Sequence, residues 1–268
     1  MTIGDAELAE AVRADLVAMV SILHEPPVGE VHRDADTAWF RTGLASAYSN
    51  GILQADLPRD DLDEAIERQL APFRSPELPI MWWRFVPPED PDPGIESALR
   101  RHGLVLDTDR PGFGLELADL RIPEAPDGAV IERVRDREAF DAWVEVVGSA
   151  FDDPRFAEAP SVAANRRLGF GDDAPFRHLL CRIGKEPVGA ATLSLGAGVA
   201  GLGNIATPPT WRRRGIGAAV AAAALLEARA LGIRVAALSA DPSGEGLYRK
   251  LGFREVSRHL TFVRSSER

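Results

Sequence analysis

The stretch Thr210–Arg229, TWRRRGIGAAVAAAALLEAR, sets three arginines and two glycines directly before an alanine-rich helical pattern. The first turn of a helix already carries about half a positive charge on its unpaired N–H groups, so each cation placed there costs on the order of 0.3–1 kcal/mol. The order becomes favourable once an anion shares the site. Gly215 and Gly217 let the backbone approach it, free N–H groups point at it, and Arg212, Arg213 and Arg214 supply counter-charge. The chemistry implied is a seat for phosphate oxygens. On charge alone the arginines read equally as solvated surface, and the glycine spacing with the preceding Pro208 and Pro209 favours the anion seat.

Other site chemistries lack their residues. A Walker-type phosphate loop needs Gly-Lys-Ser/Thr, which is absent. A dinucleotide fingerprint needs Gly or Ala where Val220 stands, and it follows a strand immediately, whereas Pro208 and Pro209 intervene here. HEPPVGEVH gathers His24, Glu25, Glu30 and His32 without the helical spacing of a zinc pair, so no metal is expected. There is no Gly-x-Ser-x-Gly elbow, and Cys181 alternates with apolar residues as inert core. The 268 residues carry 31 basic against 41 acidic side chains, a formal charge of −10, which argues against general affinity for nucleic acid or anionic lipid. One cysteine, no apolar run of membrane-spanning length and no basic leader before the first apolar residues predict a soluble protein of the reducing cytosol.

These residues must be held by elements that the pattern also predicts. LRIPEAPDGAV, Leu120–Val130, is punctuated by Pro123, Pro126 and Gly128, and divides the chain into residues 1–124 and 125–268. In the first half Leu8, Val12, Leu16 and Leu23 fit one helix face, and Leu62, Ile66, Leu70 and Phe73 another. NGILQADL and IMWWRFV read as strands, and a short helix through Ile95 and Leu99 ends at Gly103. Residues 24–50 carry no clear period. In the second half a strand AVIERV precedes a helix through Phe140, Trp143, Val144, Val147 and Phe151. RHLLCRI and VGAATLSL form a hairpin, AGLGNIAT a further strand, and then come the arginine-led helix, the strand VAALSA, the helix GLYRKL and the strand REVSRHLTFV. The expected class is α/β of the α+β type, a mixed and partly antiparallel sheet flanked by helices.

The order strand, proline, Arg-Arg-Arg-Gly-Ile-Gly, helix resembles the GNAT superfamily of acyl-CoA N-acyltransferases. Arg212, Gly215 and Gly217 match its Arg/Gln-x-x-Gly-x-Gly/Ala signature, and YRKLGF supplies the second, an aromatic hydroxyl before a Gly-Phe turn, through Tyr248, Gly252 and Phe253. The resemblance covers residues 129–264. It implies that amides from Arg213 through Gly215, Ile216, Gly217 and Ala218 hold the pyrophosphate of coenzyme A, with the arginine side chains adding charge-assisted bonds. It implies that Ile205, Ala206 and Thr207 hydrogen-bond the pantetheine arm through their backbone. It implies that Tyr248 protonates the departing thiolate, which a phenol of pKa about 10 can do for a thiol of about 8.5. The expected activity is acetyl transfer from acetyl-CoA to a primary amine of a small molecule. The alternative is a non-catalytic acyl-CoA sensor or interaction module of the same fold.

Many relatives carry a glutamate as general base in the strand before the phosphate loop, and AGLGNIAT has no carboxylate. Asp152, Asp153 and Asp241 are the nearest acids, FDDP reads equally as a turn, and no base is named. The first half holds ALRRHGL, which aligns without gaps on LYRKLGF but puts Leu99 where Tyr248 stands. Residues 1–124 therefore read as a smaller α/β domain, a degenerate copy of the fold or a cap shaped like one, with chance similarity of two helix–Gly–strand units as the competing reading. The acidic stretches DLPRDDLDEAIE, PPEDPDP and FDDP are either ordinary solubilising charge or a field that draws cationic amines.

Overall fold

Apolar spacing and turn residues set the elements of the computed structural model, which describes residues 3–73, 78–88 and 93–264. Helix α1 (Asp5–His24) leads into strands β1 (Glu30–Arg33), β2 (Thr37–Arg41) and β3 (Asn50–Ala55). Helix α2 (Leu62–Leu70), strand β4 (Ile80–Val86), helix α3 (Pro93–Arg101) and strand β5 (Val105–Glu116) follow. Strand β6 (Ala129–Arg133) precedes helices α4 (Arg137–Phe151) and α5 (Pro160–Leu168). Next come strands β7 (Phe176–Ile183), β8 (Glu186–Ser194) and β9 (Ala200–Ala206), and helix α6 (Ile216–Ala230). Strand β10 (Val235–Ser239), helix α7 (Glu245–Leu251) and strand β11 (Arg254–Arg264) complete the order. Among the described residues no helix is long and apolar enough to cross a membrane.

Where the sequence suggests a division at residue 124, the compact units are each assembled from two segments. Within the described residues one unit holds 3–16 and 113–255, the other 17–112 and 256–264. The physical reason lies in the last strand. β11 pairs antiparallel with β4 from Arg258↔Val86 to Arg264↔Ile80, which commits the end of the chain to the sheet of the first half.

In the larger unit the strands run in the order β5, β10, β9, β8, β7, β6. β6 to β9 form an antiparallel meander, and α6 then crosses over so that β10 lies parallel to β9. Alanine makes this crossover possible: Ala221, Ala224 and Ala228 are fully buried and let α6 approach the sheet at Ala200 and Leu202. Gly189 on β8 completes the fit, because a Cβ there would meet Ile216 Cγ2 at 2.5 Å. The opposite face is packed by α4, through Phe140, Trp143 and Val147 against Leu180, Ala190 and Ala206. Asp136 starts α4 by accepting from Ala139 N at 2.9 Å, and Asp152 ends it in the left-handed region at φ 54°. The unit is the mixed, partly antiparallel α/β sheet that the pattern predicts.

The smaller unit repeats the plan with fewer strands. β1, β2 and β3 are antiparallel, and β4 lies parallel to β3 at Gly51↔Met81 and Ile52↔Trp82. α2 and α3 close over Ile52, Ile66, Trp82, Leu99 and Phe262. The aligned helix ends agree bond for bond. Gly103 sits at φ 77°, with Leu104 N donating to Leu99 O at 3.0 Å; Gly252 sits at φ 105°, with Phe253 N donating to Tyr248 O at 3.1 Å. The residues before the crossover helix differ: Asp56, Asp60 and Asp61 precede α2, where Arg212 to Arg214 precede α6. An acidic approach to a helix start repels phosphate.

Candidate functional site

The arginine-glycine stretch forms a tight loop between β9 and α6. Arg213 takes φ 61° and Gly215 φ 82°, and Gly215 caps the helix with no side chain over its first amides. The amides of Gly215, Ile216, Gly217 and Ala218 have no intrahelical acceptor, since Ala219 N makes the first such bond, to Gly215 O at 3.0 Å. Gly217 brings the candidate residues together. A Cβ there would lie 3.2 Å from Leu247 Cδ1, 3.5 Å from Thr207 Oγ1 and 3.8 Å from Ile205 Cγ2, so the helix start, the end of β9 and α7 meet at one point.

The three arginines have different surroundings. Arg212, though exposed, braces the loop: its Nη2 donates to Ala150 O at 2.6 Å and its Nε to Thr207 O at 3.2 Å. Arg214 lies 4.6 Å over the Trp211 ring and donates to Thr210 O at 3.2 Å. Arg213 is exposed and makes no hydrogen bond or ion pair with any described residue. The expectation that all three guanidinium groups face an anion therefore divides into one that is bonded to backbone carbonyls on both sides of the loop and two that are not.

Strand β9 opens on the side of β10. The two pair at Ala236↔Ala200 and Ala237↔Gly201, and Leu202 to Ala206 continue beyond that pairing, with β8 still bonded on their other side. The register between β8 and β9 shifts by one residue between Ala190 and Thr192, and Asn204 takes φ 50° within that bulge. Its Nδ2 donates to Thr192 Oγ1 at 3.2 Å. The result is an open strand edge, at Ile205 and Ala206, that runs to Thr207 and the arginine-glycine loop, a template for an extended ligand.

Tyr248 stands on α7 with its ring 6.2 Å from Phe113 and 6.0 Å from Phe253. Burial first, and the charge of Asp241 second, push its hydroxyl up to about 12, so it stays protonated at working pH. Asp241 itself accepts from Ser243 N at 3.0 Å and from Ser243 Oγ at 2.7 Å, a helix-capping role. Asp153 accepts from Arg155 N at 3.0 Å, which makes FDDP a turn. Asp152 and Asp153 also line a cavity of about 410 Å³ with Glu145, Ser149 and Phe156. Cys181 is fully buried.

A buried carboxylate escaped the sequence reading. Asp15, 3% exposed, accepts from Ser194 Oγ at 2.6 Å, and a Cβ on Gly201 would lie 1.9 Å from Asp15 Oδ1. The available signal was its position: Leu8, Val12 and Asp15 share the spacing of one buried helix face. His178 lies buried in the same unit, hydrogen-bonded to Thr192 Oγ1 at 3.0 Å and to Asn165 Oδ1 at 3.1 Å. Burial holds its imidazole down at about 3, so it is neutral.

Residues 138–253 match the family model described as Acetyltransferase (GNAT) family. Among solved structures the chain is similar to a GCN5-related N-acetyltransferase from Kribbella flavida, at 20% identity and TM-score 0.73, covering 96% of this chain and 95% of that one. It is similar to a GCN5-related N-acetyltransferase from Sphaerobacter thermophilus, at 17% identity and TM-score 0.59 over 98% and 94% of the two chains. A tandem GNAT protein from the clavulanic acid biosynthesis pathway covers the whole chain, 100% and 98%, at 15% identity and TM-score 0.62. These likenesses are of fold. No curated protein matches the chain.

Proposed function

Residues 138–253 match the model of the acetyltransferase (GNAT) family, and from that match we propose that the protein moves an acetyl group from acetyl-CoA to a primary amine of a small molecule. The observation that carries the reading is the meeting of the arginine-glycine loop, the open edge of β9 and α7 at Gly217. In this reading the amides of Arg213 to Ala218 hold the pyrophosphate, with Arg213 and Arg214 facing it. Arg212 braces the loop. Backbone groups of Ile205, Ala206 and Thr207 hold the pantetheine arm as an added strand. The thioester then lies where Tyr248 can protonate the leaving sulfur, and burial keeps that phenol protonated at working pH. The single buried thiol suits a cytosolic location.

The acceptor is assigned from charge. Glu145, Asp152 and Asp153 give the cavity beside the end of α4 a negative lining, and Arg212 reaches from the loop to Ala150 of that helix. The acidic stretch at residues 87–93 adds nothing here, because 89–92 lie outside the described residues. Small cationic amines are drawn toward such a field and acidic ones repelled. Raising salt from low to physiological strength, where screening shortens the field to about 8 Å, is expected to lower kcat/KM for a dicationic amine and leave it unchanged for a neutral one. Rates indifferent to salt with a dication, or a preference for acidic peptides, contradict the acceptor assignment. A sensor of acyl-CoA is the second reading, favoured by the absence of any carboxylate on β9 itself.

A further inference from the structure

An amine meets a thioester as its ammonium at neutral pH and attacks only after losing a proton, so a transfer site needs an acceptor for that proton. β9 offers none from its own sequence, GLGNIA being without an ionisable side chain. The structure brings one from elsewhere. We infer that Asp15, reaching from α1 onto Gly201 of β9, is the group that accepts the amine's proton, an inference that rests on the acetyltransferase reading above.

Position is the first ground. β10 leaves β9 after Gly201, so Gly201 marks the point where the two strands part and the open edge begins. The Asp15 carboxylate occupies the volume that a side chain at Gly201 would fill: a Cβ there would be 1.9 Å from Oδ1 and 2.2 Å from Cγ. Glycine at this position is therefore the condition for a carboxylate to arrive from α1.

The two oxygens differ, which is the second ground. Oδ1 is anchored by Ser194 Oγ at 2.6 Å, from the residue that pairs with Gly201 across β8 and β9. Oδ2 accepts from no described residue, yet it is not among the buried polar atoms sealed from solvent without a partner. One oxygen is fixed and the other carries no bond to a described residue, which leaves its lone pairs for a proton. Among the described residues no other aspartate or glutamate is so deeply buried. A buried carboxylate with no cation beside it is costly to keep for packing alone.

Proton affinity agrees with the geometry. Burial pushes the Asp15 carboxyl up to about 7, and the Ser194 hydroxyl opposes that rise. No charged side chain contributes to its field; His178, bonded to Thr192 two residues before Ser194 on β8, is held neutral by its own burial. A base matched to neutral pH takes protons more effectively than an ordinary carboxylate, which is far too weak.

The step balances. The ammonium gives one proton to Asp15, and the neutral nitrogen forms the N–C bond to the acetyl carbon. The C–S bond breaks, and Tyr248 delivers a proton to sulfur. The second nitrogen proton returns through water to Tyr248, and Asp15 releases its own to solvent, one net proton per turnover.

The test compares native, Asp15→Asn, Asp15→Glu and Ser194→Ala full-length chains, measuring kcat and KM from pH 6 to 9.5 and acetyl-CoA affinity by calorimetry. Because Asp15 must be ionised to act, native kcat is expected to rise with pH through a midpoint of about 7. Asp15→Asn should lower kcat by about 100-fold or more and abolish that limb, with acetyl-CoA affinity unchanged. Asp15→Glu should recover part of the rate. Ser194→Ala, the milder change, removes a bond that favours the ionised form and should move the midpoint to higher pH, which a purely structural Asp15 would not do. An Asn variant within threefold of native kcat, or a midpoint unmoved in Ser194→Ala, overturns the inference and leaves the transferase reading standing. A native chain that binds acetyl-CoA and releases no thiol with any amine overturns both.

Discussion

Tyr248→Phe is expected to lower kcat by about 10²–10⁴-fold while acetyl-CoA affinity stays within about twofold. The substitution keeps the ring contacts with Phe113 and Phe253 and removes only the hydroxyl. That hydroxyl is held in its protonated form, so it carries its proton across the working range and loses it only near pH 12. A native rate that falls between pH 8 and 10 would contradict this, because Tyr248 would then be ionising where the structure keeps it neutral. Equal turnover in the two proteins makes Tyr248 a packing residue, and the departing thiolate must then take its proton from water.

Combining Arg212→Ala with Gly217→Val should weaken acetyl-CoA binding at least tenfold, roughly 1.4 kcal/mol. The two changes act on separate supports of one loop. Alanine at 212 strips the brace from Ala150 O and Thr207 O, and so loosens the loop that presents Arg213 and Arg214. Valine at 217 places its Cβ 3.2 Å from Leu247 Cδ1 and 3.5 Å from Thr207 Oγ1, and its methyl groups then crowd the amides meant for phosphate oxygens. Calorimetry on the double variant, with melting temperature as the check on folding, decides the matter. An unchanged Kd in a folded double variant removes the phosphate seat from the account.

What the sequence made legible is what depends on near neighbours. Gly103 and Gly252 announced their helix ends because the left-handed turn is a local requirement, and both sit at positive φ. The loop before α6 was legible for the same reason, since glycine spacing and the helix start lie within six residues. α5 was missed because only Val162 and Ala164 of its nine residues are buried, too weak a stripe to show a period. β1 and β2 were missed because four- and five-residue strands in a charged stretch leave little alternation to read. The interleaving of the two units depends on β11 finding β4 across most of the chain, which no local pattern encodes. Asp15 belongs with these distant pairings. Its partner Ser194 is 179 residues away, so its burial and its hydrogen bond could not be read from its neighbours in sequence. The separate surroundings of the three arginines were not legible, because the direction a guanidinium takes depends on which carbonyls the fold leaves open, here those of Ala150 and Thr207.

The central claim is that this fold transfers the acetyl group rather than merely holding its donor. The most direct measurement is the release of free thiol from acetyl-CoA by the full-length chain, with and without a panel of small primary amines, with the acetylated amine counted by mass spectrometry. Thiol release that depends on the amine and matches the N-acetylated product one for one is the predicted result. Saturable acetyl-CoA binding with no amine-dependent thiol across the panel would contradict it and leave the chain an acyl-CoA sensor.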